Sequence, residues 1–100
     1  MSQREKEILE KTIEILKKYL APDKIILFGS RGKKKSQKGS DFDFAVDHHK
    51  PDIRTERKIS EEIEEVVGLY GVDIVYLKSI DNAFRSLIFK TGKVIYERRD

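Results

Sequence analysis

Hydrophobic positions along this chain change period several times, and each change marks an element. Ser2 and Glu5 have the spacing of a capping box. Ile8, Leu9, Thr12, Ile13, Leu16, Tyr19 and Leu20 then recur at helical spacing among charged residues. Ala21-Pro22-Asp23 ends that helix, because proline pushes its predecessor out of helical dihedrals. Lys24 to Phe28 is a short apolar run stopping at Gly29, which predicts a strand. Ser30 can cap a short helical turn over Arg31 to Lys34, Lys35 to Ser40 reads as loop, and Asp41 to Val46 alternates as a second strand. Pro51-Asp52 opens a second long helix, with Ile59, Ile63, Val66 and Val67 inward and Gly68 as its C-terminal cap. Gly71 to Leu77 predicts a third strand. Ser79 then caps a third helix carrying Ala83, Phe84, Leu87 and Ile88, which Gly92 closes. Lys93 to Glu97 is a final short strand.

This order of elements predicts an α/β (α+β) architecture, a small mixed four-stranded sheet with helices packed on it. One hundred residues without internal repeat or linker predict a single domain over residues 1–100. With 38% hydrophobic and 39% charged residues, the chain has a globular rather than a disordered composition. The absence of cysteine excludes disulfides, thiolate metal sites and cysteine catalysis. No apolar run has the length to cross a bilayer and no signal-peptide pattern opens the chain, so no membrane partner is expected and a cytoplasmic location is the default expectation. The net charge of +3 argues only weakly for nucleic acid. Its distribution matters more, since five of the eight residues from Arg31 to Lys38 are basic and none is acidic.

The candidate chemistry lies between Gly29 and Val46. Asp41 and Asp43 are two apart in a run that otherwise reads as a buried strand, so both carboxylates share one face while Phe42, Phe44 and Val46 take the other. Like charges held together are costly unless a cation or protons relieve them. Asp73 is the second unusual acid, standing in an apolar strand where Asp is depleted. Its bland alternative is an edge residue facing water. If the third strand neighbours the second, Asp73 joins Asp41 and Asp43 in an oxygen-rich site suited to Mg²⁺, or alternatively Mn²⁺. Three carboxylates on two strands fit two-metal nucleotidyl or phosphoryl transfer, with Asp73 toward the attacking hydroxyl. Gly29 lets backbone approach a bulky anion, and Ser30 adds a hydroxyl and the free amides of a helix start. Arg31, Lys33, Lys34, Lys35 and Lys38 could neutralise a triphosphate, grip a nucleic-acid backbone or meet an acidic protein.

Gly29-Ser30-Arg31, then Ser40-Asp41-Phe42-Asp43, then the isolated Asp73, resemble the nucleotidyltransferase superfamily that includes DNA polymerase beta, in its minimal (MNT) branch. The resemblance covers roughly residues 5 to 96 and implies the nucleotidyltransferase fold. It implies Asp41, Asp43 and Asp73 as catalytic ligands of two divalent ions and Gly29 and Ser30 as the element that holds the triphosphate; Arg31, Lys34 and Ser40 are the further nucleotide-binding candidates. Lys34 stands where the family commonly has a second glycine. The minimal branch is similar to antitoxins encoded beside a small helical HEPN-domain protein. The resemblance therefore implies Mg²⁺-dependent transfer of AMP from ATP to a tyrosine hydroxyl of that partner, with the acceptor supplied in trans. A non-catalytic protein that neutralises its partner by contact is the alternative, and a nucleic-acid 3′-end transferase is less favoured. A homo-oligomer is left open.

The other marked residues have plainer readings. His48 and His49 read as loop residues near the mouth of the site rather than as ligands. Tyr19, Tyr70, Tyr76 and Tyr96 suit packing positions, and Phe84, Leu87 and Ile88 read as core. The first helix, with Ile8, Leu9, Ile13, Ile15, Leu16, Tyr19 and Leu20, is the expected site of any apolar stripe left exposed for a partner.

Overall fold

The computed structural model describes residues 2–29, 42–68 and 70–99. Helix α1 spans Gln3–Leu20, strand β1 Lys24–Phe28, β2 Phe42–Val46, helix α2 Ile53–Val67, β3 Val72–Tyr76, helix α3 Asn82–Thr91 and β4 Lys93–Glu97. The expected short helix over residues 31–34 and the loop over 35–40 lie outside the described residues.

Local chemistry explains the ends of these elements. Ser2 and Glu5 form the capping box of α1, and Ala21 closes that helix in the left-handed conformation. The Asp52 side chain accepts from the Thr55 amide and starts α2; the Thr55 side chain first, then that amide, holds the Asp52 carboxyl below the usual range. The third helix departs from expectation. Its N-cap is Asp81, which accepts from the Phe84 amide. Ser79 instead lies in a 3₁₀ turn over Leu77–Ser79 and accepts from the Lys50 amide. Asp and Ser are near-equal caps, and the 3₁₀ turn uses up the residues that would have begun the helix earlier.

The sheet runs β3-β2-β1-β4, with β1 antiparallel to both neighbours and β2 parallel to β3. A parallel pair needs a crossover, which α2 supplies between β2 and β3. Strand alternation divides the core between two faces. On one, Ile25, Leu27, Phe42, Phe44 and Val46 pack against α1 and α2 through Ile8, Leu16, Ile59 and Ile63. On the other, Ile26 and Ala45 meet Leu77 and Ile88, with Phe28, Val75 and Ile80 around them. Gly92 permits the close approach of α3 to the sheet, since a Cβ there would overlap Ile26 Cγ2. Between the helices, Lys18 Nζ lies 2.7 Å from Glu62 and the Tyr19 hydroxyl donates to the same carboxylate. Lys18 first, then Tyr19, holds the Glu62 carboxyl below its usual range.

Two expectations about apolar surface are overturned together. The stripe on α1 is not free: Ile8, Ile15, Leu16 and Leu20 are buried, and Leu9, Ile13 and Tyr19 pack around them. Apart from Ile53 at the start of α2, the large apolar side chains left open lie instead on α3 and β4. Ile88 is core, but Phe84 is 39% and Leu87 54% exposed, and Val94 is exposed beside them in the sequence that follows. The reason is coverage: α1 packs on the sheet and against α2 beside it, whereas α3 packs on the sheet with no described helix beside it.

Thr12 is buried within α1, and its hydroxyl has no hydrogen-bond partner among the described residues. An unsatisfied buried hydroxyl is destabilising, and valine has nearly the same shape. Thr12→Val is therefore expected to raise stability by about 1–2 kcal/mol, read as a higher urea midpoint with unchanged slope. A lower midpoint would mean that the hydroxyl is satisfied.

Candidate nucleotide-transfer site

The site follows from the alternation of β2. Because Phe42, Phe44 and Val46 are fully buried against the helices, Asp43 and Ala45 must project from the opposite face, the one that α3 partly covers. Pairing registers extend that face sideways. Asp43 is partnered by Phe28 on β1 and by Asp73 on β3. Register partners in adjacent strands point to the same side, so Phe28, Asp43 and Asp73 form one row across three strands. Adjacent strands are about 4.8 Å apart, which brings the two carboxylates within reach of a common ion. Asp73 lies on the edge strand and is exposed, while Asp43 is half-buried. Asp73 is thus an edge residue, and it stands beside Asp43.

Gly29 completes the described part of the site. It follows β1 directly and has φ +78°, in the left-handed region that disfavours other residues. A Cβ at this position would overlap Asp43 Oδ2 and lie 3.1 Å from its Cγ. The glycine therefore allows the backbone after β1 to run against the Asp43 carboxylate. Asp41, Ser30, Arg31, Lys34 and Ser40 lie outside the described residues, as do the lysines at 33, 35 and 38. Among the described residues no cluster of three His, Cys, Asp or Glu side chains could hold a metal ion.

Other candidates fall away on position. His48 and His49 follow the far end of β2 from Asp43, about 15 Å along the strand, and so are not at the mouth of this site. His48 Nδ1 lies 2.7 Å from the His49 carbonyl oxygen. The tyrosines take packing roles as expected: Tyr70 meets Phe42 edge-on, and Tyr76 is buried, which pushes its phenol up to about 12 and keeps it protonated. Sequence reasoning missed Phe28. The signal was available, since an alternating strand ending at Gly29 puts Phe28 on the face opposite Leu27.

A four-stranded mixed sheet, a parallel pair bearing facing acids near the start of both strands, and a glycine turn against one of them define a nucleotidyltransferase architecture. The family model for polymerase beta, nucleotidyltransferase, matches residues 10–100, and the chain belongs to that family. No curated protein matches it. Solved structures share the fold at low identity. A chain of a toxin–antitoxin crystal structure with AMP-PNP is 23% identical at a TM-score of 0.76, covering 90% of this chain and 73% of that one. A chain from the complex of tri-AMPylated Shewanella oneidensis HEPN toxin with MNT antitoxin is 20% identical at 0.71, over 96% and 74%. A chain of the toxin–antitoxin MntA-HepT is 22% identical at 0.69, over 91% and 71%.

Two stability measurements test the geometry. Gly29→Ala should cost about 1–2 kcal/mol for the left-handed backbone alone, and more because its Cβ meets Asp43. In an Asp43→Ala background the carboxylate overlap is gone, so the penalty should shrink by about 0.5 kcal/mol or more. Equal penalties in both backgrounds would place Gly29 away from Asp43. Asp73→Asn should leave the metal-free protein as stable as wild type or up to about 1 kcal/mol more stable, because like charges directly opposite are unfavourable. A clear loss in urea denaturation would show the Asp73 carboxylate to be held by favourable contacts.

Proposed function

We propose that this chain is a Mg²⁺-dependent nucleotidyltransferase, a single unit over residues 1–100, that moves AMP from ATP to a tyrosine hydroxyl of a HEPN-domain partner encoded beside it and so acts as an antitoxin in the cytoplasm. The observation that carries the reading is the register of Asp43 with Asp73, with Gly29 against the Asp43 carboxylate. Its support comes also from membership of the nucleotidyltransferase family and from fold neighbours solved with AMP-PNP and with an AMPylated toxin.

The donor set fits hard divalent ions: two carboxylates in adjacent register, one of them open to solvent, where like charges call for a counter-charge. Asp41, Asp43 and Asp73 are the residues that would hold Mg²⁺. When bound, the metal supplies charge compensation for the triphosphate and lowers the pKa of the attacking hydroxyl. Gly29 lets the chain after β1 run against the Asp43 carboxylate, and Ser30, Arg31, Lys34 and Ser40 would hold the triphosphate. In the transfer itself, the tyrosine oxygen forms the new bond to the α-phosphorus. The bond from that phosphorus to the bridging oxygen breaks, pyrophosphate leaves with the electron pair, and Asp73, on the open edge, accepts the hydroxyl proton.

Incubation with labelled ATP, Mg²⁺ and the HEPN partner should label a partner tyrosine, and Asp43→Asn should lower the rate by about a hundredfold or more. Wild-type protein that binds ATP yet never labels the partner would contradict the proposal. If Asp43→Asn and Asp41→Asn variants still silence the partner fully, neutralisation is by contact.

A further inference from the structure

The row Phe28–Asp43–Asp73 has an apolar end that the transfer chemistry does not use. The Phe84 ring meets the Phe28 ring edge-on, with centroids 6.3 Å apart and planes at 80°. Phe84 comes from the first turn of α3, fixed there by the Asp81 cap that accepts from its own amide. It also borders, with Val75 and Ile80, a groove of about 290 Å³. Val75 shares its face with Asp73, two residues earlier on the same strand. An aromatic ring is therefore held on a rigid support beside the acid pair, against Phe28 on one side and near Val75 on the other.

That ring is nevertheless 39% exposed, a large apolar surface given to water where a core residue would hide it. The other aromatic side chains of the described residues are otherwise engaged. Phe42 and Phe44 are fully buried, Tyr76 is buried, and Tyr70 meets Phe42. Tyr19 bonds Glu62, and Tyr96 lies beneath Lys17. Phe89 is exposed, but it sits by Lys24 at the opposite end of β1 from Gly29.

We infer that Phe84, seated on Phe28, is the stacking platform for the nucleobase of the bound nucleotide, and that it favours purines. This rests on the nucleotide-transfer reading above. A nucleotide whose phosphates lie at Gly29 and the acid pair can lay its base on the α3 side of the same face, where Phe84 is the exposed π surface. Stacking on one aromatic face distinguishes large from small ring systems, because its strength follows the overlapped area, and it does not read a particular base edge.

The test is titration calorimetry of ATP, CTP and inorganic tripolyphosphate, each with Mg²⁺, against wild type, Phe84→Ala and Phe84→Tyr. Wild type should bind ATP more tightly than CTP. Phe84→Ala should weaken ATP about ten- to a hundredfold, leave tripolyphosphate unchanged and bring ATP and CTP together, while Phe84→Tyr keeps the wild-type order. A wild type that binds neither ATP nor tripolyphosphate overturns the nucleotide reading and the platform with it. Wild type that binds ATP, with Phe84→Ala binding it equally well, overturns the platform alone. So does equal weakening of ATP and tripolyphosphate by Phe84→Ala, which marks a structural role. ATP binding unchanged in Phe84→Ala with a raised KM for the protein acceptor would assign the ring to the acceptor and also overturn the inference.

Discussion

The structure depends on one strand being used on both sides. β2 drives Phe42, Phe44 and Val46 into the α1/α2 core, and the two-residue period then leaves Asp43 no direction except the other face. A one-residue slip of β2 would bury the carboxylate among Ile8, Leu16 and Ile59 and expose two phenylalanines, so the register is fixed by a large energetic difference. The parallel neighbour β3 inherits that register and sets Asp73 beside Asp43, and the antiparallel neighbour β1 does the same for Phe28. Hydrophobic burial on one face is thus what positions charge on the other.

That arrangement separates stability from chemistry. The face carrying most of the core needs nothing from the acid row, and the row can carry like charges because one carboxylate lies on an open edge. Gly29 belongs to both requirements. Its left-handed backbone turns the chain after β1, and its missing side chain lets the Asp43 carboxylate lie against that backbone. The α3 face is only partly covered, which explains why large apolar side chains there stay in contact with solvent while those of α1 do not.

Most of the fold was legible because its signals were local and redundant. The capping box at Ser2, the breaker at Pro22, the cap at Asp52 and the glycines at 68 and 92 each agree with the apolar period beside them. β4 has the limits expected of it, whereas β3 begins one residue later than expected, after Gly71, and yields Leu77 to a 3₁₀ turn. Two things were not local. The depth to which α1 and α3 are buried depends on which elements pack beside each, and periodicity reports which side is apolar without reporting what covers it. The choice between Ser79 and Asp81 was similarly undecided by propensity and was settled by the turn before the helix. At the site, the Asp43–Asp73 juxtaposition required the strand order, which a sequence only supplies through the expected parallel crossover.

Gly29, Asp43 and Asp73, if they act as proposed, form one ion-binding locus for a nucleotide. Paramagnetic broadening of backbone amide signals by trace Mn²⁺ in the presence of ATP tests it directly. The amides of Gly29, Asp43 and Asp73 should broaden first and together, while those of His48, His49 and the acidic face of α2 around Glu61 and Glu65 keep their intensity. Broadening centred on the histidines or on α2, with Asp43 and Asp73 unaffected, would contradict it.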